Sequence, residues 1–402
     1  MLHALEIENF HSVFDHQLVD LSIADNAPER PFRFAPLWKG STERGPKVLA
    51  IFGPNASGKT TVLRAISFLA WFIRDSFALL PDRALPYERF NSQLGHELPT
   101  RLAVSFGGLA DPVDGEDGDP ECRYRYELEL SGTGVATVTA ETLYYWPPPH
   151  RRRVRLFRRD RAGKVVGAPA FGLGGFTPAL EKILRPNASV IATLAQLKHP
   201  FATAIWEAVA YVYSNAPHDL GETAEARMVR LYASDAKLLA SLNREIDRID
   251  LGIKSVRIEQ GPSGPVALFT HEGHDGPMPL ALESHGTRAF LQLYPYLLGA
   301  LQIGGIAVLD ELDTAIHPLI LPEILRWFHD PMHNPHNAQL WMTCHNASLL
   351  DDLEKEEVLF TEKDRTGRTE IFALSDIQAV RREDNFYRKY LGGTYGAVPN
   401  IG

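Results

Sequence analysis

One short segment carries residues with a clear chemistry: Gly53-Pro54-Asn55-Ala56-Ser57-Gly58-Lys59-Thr60, which matches the pattern G-x-x-x-x-G-K-[ST]. Glycines let the backbone curl so that its N–H groups face phosphate oxygens, and a following helix adds the positive end of its dipole. Lys59 would reach the β- and γ-phosphates, and the Thr60 hydroxyl would bind Mg²⁺. The alternative is a glycine-rich turn that happens to precede a helix. The complete pattern favours a phosphate-binding loop.

Two elements must position this loop. Residues 47–52 form a short apolar run between Gly45-Pro46 and Gly53-Pro54, which predicts a buried strand. From Thr60 to Ser76 the apolar residues recur at helical spacing, which predicts a helix. The loop therefore joins a strand to a helix. We expect nucleotide contacts from Gly53, Asn55, Ser57, Gly58, Lys59, Thr60 and Thr61.

A second segment, Ile306-Ala307-Val308-Leu309-Asp310-Glu311, is an apolar strand pattern that ends in two carboxylates. Taken alone, it also fits a buried strand that meets a polar loop. Beside a phosphate-binding loop, Asp310 is expected to hold Mg²⁺ and Glu311 to orient or deprotonate an attacking water. Thr60 and Asp310 are thus the predicted metal ligands, and Glu311 is a predicted catalytic residue.

Two further segments flank these carboxylates in the sequence. His345 ends a predicted strand over 339–344 and could donate to a γ-phosphate, so it is the second predicted catalytic residue; a structural histidine is the alternative. The run Glu283-Ser284-His285-Gly286-Thr287 precedes an apolar helix pattern. There Ser284 is a plausible N-cap, and Gly286 would permit close approach of an anion to the helix N-terminus. In isolation this run would be an ordinary helix cap.

In the chain, the phosphate-binding loop is followed by the segment at Ser284, then by Asp310-Glu311, and then by His345. In this order, the four segments resemble the ABC-type ATPase heads of the SMC/RecF/OLD group. The opening run 7–12, Ile-Glu-Asn-Phe-His-Ser, looks like that group's N-terminal strand and N-F-[KR]-S turn, with His11 in place of the basic residue. The resemblance implies an α/β fold: an ABC-type P-loop ATPase head with a mixed central sheet, an antiparallel β-subdomain and a helical subdomain. It also implies ATP and Mg²⁺ as ligands. Gln93 is the candidate Q-loop residue.

The same resemblance implies a homodimer arranged head to tail, or a larger oligomer built from it. In such a dimer Ser284 and Gly286 of one subunit would cap the γ-phosphate held by Gly58 and Lys59 of the other.

Four features narrow the resemblance to the prokaryotic RloA/AriA-like AAA family ATPases of anti-phage defence. They are the E-S-x-G-T form at Ser284, the runs 250–256 (D-x-G-I-x-x-V) and 310–318 (D-E-L-D-x-x-I-H-P), and the tail Tyr390–Pro399. Such proteins act with a partner, often a TOPRIM-type nuclease. The stretch after His345 is shorter than a TOPRIM domain, which needs on the order of a hundred residues. A nuclease effector is therefore expected in trans.

Two other functions stay open. A RecF- or SMC-like ATPase of DNA repair would bind DNA tightly and with a steep salt dependence. The net charge of −9 and the tail count against it. The ATP-binding subunit of a transporter would carry L-S-G-G-Q and a membrane partner, and neither the segment at Ser284 nor the β-rich insertion supports that function.

Composition and hydrophobic pattern divide the 402 residues into three parts. We predict an N-terminal lobe over 1–185 with the P-loop and a β-rich insertion, a helical insertion over 186–250, and a C-terminal lobe over 251–402. The acidic segment Asp111–Glu121 is predicted to be a hairpin loop, with a calcium loop as the alternative. Two cysteines exclude a disulfide framework. Because the start lacks an export signal and no apolar run is long enough to span a bilayer, a cytoplasmic protein without membrane contact is expected.

An arginine-rich segment runs from His150 to Arg161 and contains one acidic residue, Asp160. It is either a basic edge for nucleic acid or an acidic protein, or a strand with solvated arginines. Only Phe157 is interleaved, so the sequence does not indicate base stacking. The candidate nucleic-acid contacts are Arg151, Arg152, Arg153, Arg155, Arg158 and Arg159.

Overall fold

The structure is a computed structural model that describes residues 1–399 except 116–118, 133–135, 216–223, 249–251, 263, 315 and 317. The sequence pattern also predicts a strand over 135–139, and its first residue, Val135, lies outside the described residues. So do Asp250 and Leu251 of the run 250–256, and Ala315 and His317 of the run 310–318. Within the described part of the chain, no helix is long and apolar enough to cross a membrane.

The described residues form the following elements in chain order. The β-strands are β1 (Leu2–Glu8), β2 (Gln17–Asp20), β3 (Phe34–Pro36), β4 (Arg44–Pro46), β5 (Val48–Phe52), β6 (Thr100–Leu109), β7 (Glu121–Ser131), β8 (Thr137–Tyr145), β9 (Val154–Arg159), β10 (Val165–Gly167), β11 (Val212–Ser214), β12 (Ile253–Gly261), β13 (Gly264–His271), β14 (Met278–Pro279), β15 (Ile306–Leu309), β16 (Gln339–Thr343), β17 (Val358–Lys363) and β18 (Thr369–Ala373). The α-helices are α1 (Lys59–Asp75), α2 (Gln93–Glu97), α3 (Thr177–Ile183), α4 (Val190–Gln196), α5 (Pro200–Val209), α6 (Ala224–Ser234), α7 (Ala236–Arg248), α8 (His285–Ile303), α9 (Leu321–His329) and α10 (Phe386–Leu391).

A six-stranded mixed sheet forms the centre of the molecule, in the order β11-β15-β16-β5-β17-β18. Neighbouring strands are parallel from β11 to β17, and β18 pairs antiparallel with β17. The strands predicted at 47–52, 306–309 and 339–344 are therefore three neighbours. Because the carboxyl ends of parallel strands meet at one edge, the segments that follow β5, β15 and β16 come together there.

Side chains of β5 alternate between two hydrophobic cores. Leu49 and Ile51 pack into the core shared with α1 and the antiparallel strands. Val48, Ala50 and Phe52 pack into the core on the other face, with residues of α8 and α9. All five side chains are buried, as expected for a central parallel strand covered on both faces.

A seven-stranded antiparallel sheet lies beside this core, in the order β10-β9-β8-β7-β6-β1-β2. It confirms the predicted β-rich region and, with the central mixed sheet, the predicted fold class. Strands β6 and β7 pair as far as Leu109 and Glu121, so the described residues of the acidic segment, 111–115 and 119–120, lie at the end of this hairpin. In that loop the Asp111 carboxylate accepts from the backbone N–H groups of Val113 and Asp114, which caps the turn.

The sequence patterns do not predict several of the strands. The described residues of 186–250 form α4, α5, α6 and α7, and they also contribute β11 to the edge of the central sheet. This strand has three residues and is too short to show a two-residue period. Beyond His345, β17 and β18 complete the sheet on the far side of β5.

The predicted tail packs beside the strand that leads into the P-loop. The Tyr390 hydroxyl donates to the Ala397 carbonyl oxygen (2.9 Å), and the Ala397 N–H donates to Glu362 of β17 (2.8 Å). The Tyr390 ring stacks on Phe360 with centroids 5.3 Å apart and lies 6.3 Å from Phe52, the last residue of β5. The tail therefore supports the strands beneath the nucleotide-binding loop.

Arg159 is a correction to the predicted nucleic-acid contacts. Its side chain is only 2% exposed, so it cannot face a ligand at the surface. The guanidinium donates to the carbonyl oxygens of Ala188 (2.7 Å) and Arg185 (3.0 Å) and lies 3.7 Å from the fully buried carboxylate of Glu141. Neighbouring residues of a strand point to opposite faces, and Arg158 is exposed.

We expect Arg159→Met to lower the free energy of unfolding by about 3–5 kcal/mol, because Glu141 would lose the cation that compensates its buried charge. Urea denaturation at pH 8 measures this loss. Arg158→Met on the same strand is the matched control and should change the stability by less than about 0.5 kcal/mol. Equal stabilities of the two variants would contradict the role assigned to the buried pair.

Candidate nucleotide site

The segment between β5 and α1 forms a tight loop that only glycine allows at two positions. Gly53 has φ 150° and Gly58, the N-cap of α1, has φ 109°. A Cβ atom on Gly53 would lie 2.2 Å from the backbone oxygen of Thr361. A Cβ atom on Gly58 would lie 2.3 Å from Thr369 Oγ1. The loop therefore rests directly on β17 and β18.

A network of hydroxyl groups fixes the loop from below. Ser57 Oγ lies 2.6 Å from Thr361 Oγ1. Thr369 Oγ1 lies 2.8 Å from the Ser57 carbonyl oxygen and 2.8 Å from Ser12 Oγ, which in turn lies 2.8 Å from Thr61 Oγ1. Three separate parts of the chain thus hold the loop: the turn after β1, the start of α1, and the pair β17–β18.

Lys59 lies inside the loop, with 6% of its surface exposed. Its ammonium donates to the carbonyl oxygens of Gly53 (2.8 Å) and Pro54 (3.0 Å). Burial lowers the pKa of Lys59, and the carboxylates of Asp310, Asp313 and Glu311 oppose this shift. A phosphate oxygen would replace neutral acceptors by a charged one, which makes the stronger hydrogen bond.

The two predicted metal ligands are in contact. Thr60 Oγ1 donates to Asp310 Oδ1 (3.1 Å), and Thr343 Oγ1 donates to the same oxygen (2.7 Å). Thr343 Oγ1 also accepts from the N–H of Glu311 (2.7 Å). On the other side, the Asn215 amide bonds both backbone groups of Asp310, at 2.8 and 3.0 Å. The turn that carries both carboxylates is therefore fixed by its neighbours in the sheet.

His345 lies next to these residues, at the end of β16. Its backbone N–H donates to Asp313 Oδ2 (2.6 Å), which also accepts from the N–H of Asn346 (2.5 Å). Asp313 Oδ1 is buried and has no hydrogen-bond partner among the described residues. Asp313 thus positions the loop that presents His345. In the sequence, Asp313 is part of the D-E-L-D run, and nothing in its neighbours there predicts a role for it.

These residues share one open cleft of about 850 Å³ at the carboxyl edge of the central sheet. Of the predicted site, Asn55, Ser57, Gly58, Lys59, Thr60, Thr61, Glu311 and His345 line it. It is also lined by residues to which the sequence analysis gave no role: Ser12, Ala56, Arg64, Asp313, Thr314, Thr343 and Asn346. Gly53 lies at the base of the loop and Asp310 lies against Thr60.

The cleft fits a nucleotide with its metal ion. At Gly53 and Gly58 a Cβ would collide with β17 or β18, so only glycine lets the loop lie this close to the strands beneath it. A loop of this kind, followed by a helix N-terminus, presents backbone N–H groups to phosphates. The Thr60 hydroxyl and the Asp310 carboxylate are hard oxygen ligands of the kind that Mg²⁺ accepts together with substrate phosphates. When bound, the ion would neutralise negative charge on those phosphates.

A comparison with protein families agrees with this geometry. Residues 48–351, which include the loop, both carboxylates and His345, match the family described as "AAA domain, putative AbiEii toxin, Type IV TA system". The chain belongs to this AAA family. It is a P-loop ATPase. No curated protein matches the sequence.

Solved structures of SMC heads are similar to this ATPase at low sequence identity. The SMC head domain from Thermotoga maritima is 16% identical, with 92% of this chain and 98% of that chain covered and a TM-score of 0.41. An SMC head bound to the C-terminal winged-helix domain of ScpA is 10% identical, with coverages of 92% and 97% and a TM-score of 0.48. An SMC head with an extended coiled coil, bound to the C-terminal domain of ScpA derived from Pyrococcus furiosus, is 12% identical, with coverages of 92% and 96% and a TM-score of 0.43. Because these TM-scores lie below 0.5, the family assignment rests on the family match.

Two residues named by the resemblance do not line the cleft of the ATPase as described. Burial lowers the pKa of His11 to about 4, with a contribution from Arg64, so its ring is neutral at pH 7. The ring packs edge-on against Phe10, with centroids 4.5 Å apart. His11 therefore supplies no cation in the turn after β1. Gln93 is exposed on α2, with its amide 3.5 Å from Glu97.

The run Glu283–Thr287 begins α8 as predicted. Ser284 is the N-cap, and its Oγ accepts from the N–H of Thr287 (3.1 Å). The preceding Glu283 is buried and lies 2.6 Å from His271 Nε2, which holds the segment in place. Ser284 is exposed and Gly286 is half-buried, and neither lines the described cleft of its own chain.

Proposed function

We propose that this ATPase is an ABC-type head that closes head to tail on ATP with a second copy of the chain. The observation that carries the proposal is the position of Ser284 relative to the cleft. A two-residue connection joins α8 to β15, and the helix packs against this strand, which ends at the edge of the sheet that holds the P-loop.

Ser284 is the exposed N-cap of this 19-residue helix, and it does not line the described cleft of its own chain. A second copy related by a two-fold axis can bring its own Ser284 and Gly286 to face the P-loop, and the same contact then forms twice. The donors and positive dipole at that helix start suit a γ-phosphate. In this arrangement Lys59 and Glu311 of one subunit act with Ser284 of the other.

Mixing two inactive variants tests this arrangement. Lys59→Ala removes the ammonium group that would bind the β- and γ-phosphates. Ser284→Arg places a bulky cation at the N-terminus of α8. Each variant alone is expected to lack ATPase activity. In a mixed dimer one of the two sites has an intact loop and an intact Ser284, so an equimolar mixture should recover about a quarter of the wild-type rate.

Ser22→Arg, on an exposed turn, is the matched control and should leave activity unchanged. Full activity of Ser284→Arg would sink the head-to-tail dimer. So would a mixture that stays as inactive as its components, provided that both variants melt like the wild type.

We propose further that the ATPase is the sensor or scaffold subunit of a prokaryotic, cytoplasmic anti-phage defence system and controls a TOPRIM-type nuclease in trans. Two observations support this role: the RloA/AriA-like motifs, and the match to a family whose description names a putative toxin of a type IV toxin–antitoxin system. ATP binding would close the dimer and hydrolysis would reopen it. Because an effector bound to the dimer would contact a different surface in each state, this cycle would shift the effector between its own conformations. Copurification with the product of a neighbouring gene tests the role; a DNA-repair partner in its place would refute it.

The second candidate function is a RecF- or SMC-like DNA-binding ATPase. The observation that favours it is the exposed run of Arg151, Arg152, Arg153 and Arg155. It requires ATP-dependent binding of duplex DNA with a steep salt dependence. Binding of a duplex by the wild type but not by Lys59→Ala would support this function over the defence role.

A further inference from the structure

We propose that the outer face of the antiparallel sheet binds single-stranded nucleic acid, with bases stacked on tryptophan and tyrosine rings and phosphates held by arginines. The surface, here called the aromatic–arginine surface, comprises residues 144–155 together with Trp38 and Arg123. It goes beyond the ATPase role, because it lies outside the nucleotide cleft and needs neither a dimer nor an effector.

A cavity of about 510 Å³ forms one end of this surface. Trp38 and Trp146, both half-buried, line it together with Arg123 and Arg151. The Arg123 guanidinium lies 5.3 Å from the ring centroid of Trp146, and its Nε is buried without a hydrogen-bond partner among the described residues. The cavity is in the size range of small-ligand sites, roughly 300–1,000 Å³. It thus offers a nucleobase two aromatic rings and a guanidinium.

The aromatic surface continues along β8. Tyr144 lies directly across from Arg125 on β7 and from Arg155 on β9, and residues opposite each other share one face of a sheet. The Arg153 guanidinium lies 4.9 Å from the Tyr144 ring centroid. Trp146 follows two residues later, on the same outward side. Successive bases of an extended strand could therefore stack on Trp146 and Tyr144 while its backbone passes the arginines.

Four exposed arginines of this surface have no carboxylate partner among the described residues. Arg125, on the same face opposite Tyr144, is paired with Glu6 (2.6 Å) and Glu127 (2.7 Å). Three further carboxylates line the cavity itself: Glu43, Asp119 and Glu121. Arg151, Arg152, Arg153 and Arg155 form no ion pair with any residue of the described chain. In a protein of net charge −9, such a group indicates a polyanionic ligand. The adjacent rings favour nucleic acid over an acidic polypeptide, because only nucleic acid offers bases that stack.

Phe157 is the only aromatic residue interleaved with the arginines in the sequence, which by itself does not indicate base stacking. Phe157 is fully buried in the core, so it cannot stack on a base. The rings that matter come from other segments, since β8 contributes Tyr144 and Trp146 lies just after it. Trp38 arrives from the segment between β3 and β4.

Fluorescence anisotropy with labelled oligo-dT and oligo-U of about 20 nucleotides, and with a duplex of equal length, tests the proposal. We expect the single strands to bind more tightly than the duplex, with or without ATP. Trp146→Leu should weaken single-strand binding about 5- to 150-fold without changing the salt dependence. The triple variant Arg151→Gln, Arg152→Gln, Arg155→Gln should reduce the slope of log K against log salt by about 2.

Matched controls separate this surface from general effects. Trp206→Leu removes another half-buried tryptophan that lies under an arginine, with Arg74 5.0 Å from its ring, and should leave binding unchanged. The triple variant Arg227→Gln, Arg244→Gln, Arg365→Gln removes three exposed arginines elsewhere on the protein. It should change the slope of log K against log salt less than the triple variant at 151, 152 and 155 does. ATPase activity and melting temperature show that each variant is folded.

Three results would overturn the proposal: equal losses in Trp146→Leu and Trp206→Leu, a duplex that binds as tightly as the single strands, or displacement of oligo-dT by polyglutamate at equal charge. A preference for oligo-U or for oligo-dT identifies the ligand as RNA or DNA. Lys59→Ala should still bind the single strand, so a failure of the dimer proposal is recognised independently.

Discussion

Glu311→Gln is expected to lower the ATP turnover number by about 10²–10⁴-fold while ATP still binds. The carboxylate is exposed at the cleft, and the backbone of Glu311 has φ 53°, a conformation held by the hydrogen bond of its N–H to Thr343. Glutamine has nearly the same shape, so this turn and the Asp310 contacts should persist. What is lost is a group that can accept a proton from the attacking water.

Two measurements check this expectation. Phosphate release gives the turnover number. Light scattering in the presence of ATP should show a lasting doubling of the molar mass, because the closed dimer reopens only when ATP is hydrolysed and the variant does not hydrolyse it. Glu370→Gln, an exposed carboxylate on β18, is the matched control and should behave like the wild type. Undiminished turnover in Glu311→Gln would remove this residue from catalysis. A mass that does not respond to ATP would count against ATP-driven closure.

The parts of the site that could be predicted are those encoded locally. β5, β15 and β16 are short apolar runs, and the functional side chains follow them directly in the sequence. Each run therefore predicts both a buried strand and the polar residues at its carboxyl end. The parallel arrangement then places these ends at one edge of the sheet. Ser284 was predictable for the same reason, because an N-cap serine stands next to the helix it begins.

The remainder depends on contacts between distant segments. Thr361 and Thr369 hold Ser57 across 304 and 312 residues, and a neutral hydroxyl has no sequence pattern that marks it as a partner. Thr343 fixes Asp310 because β16 lies beside β15, a strand order that the sequence does not state. The error at Arg159 is of another kind: charge was counted along the segment, whereas the face of the strand decides burial.

Gly58→Ala is expected to raise the dissociation constant for ATP at least about 30-fold, which corresponds to about 2 kcal/mol. Two costs act at this position. The φ of 109° is unfavourable for a residue with a side chain. The new methyl group would also lie 2.3 Å from Thr369 Oγ1 and 2.9 Å from Ser12 Oγ, so the loop must move off the hydroxyl network that shapes it. Isothermal titration with a non-hydrolysable ATP analogue measures the change.

Gly163→Ala separates the two costs, because Gly163 also has a positive φ, 83°, but has no atom within 4 Å of the added methyl group. It should lower stability by about 1 kcal/mol and leave ATP binding unchanged. Adding Thr369→Ala to Gly58→Ala removes the nearest clashing atoms and should restore part of the affinity, although the bond to the Ser57 carbonyl is then lost. If the double variant bound no better than Gly58→Ala, backbone strain rather than contact with β18 would be what makes glycine necessary in the loop.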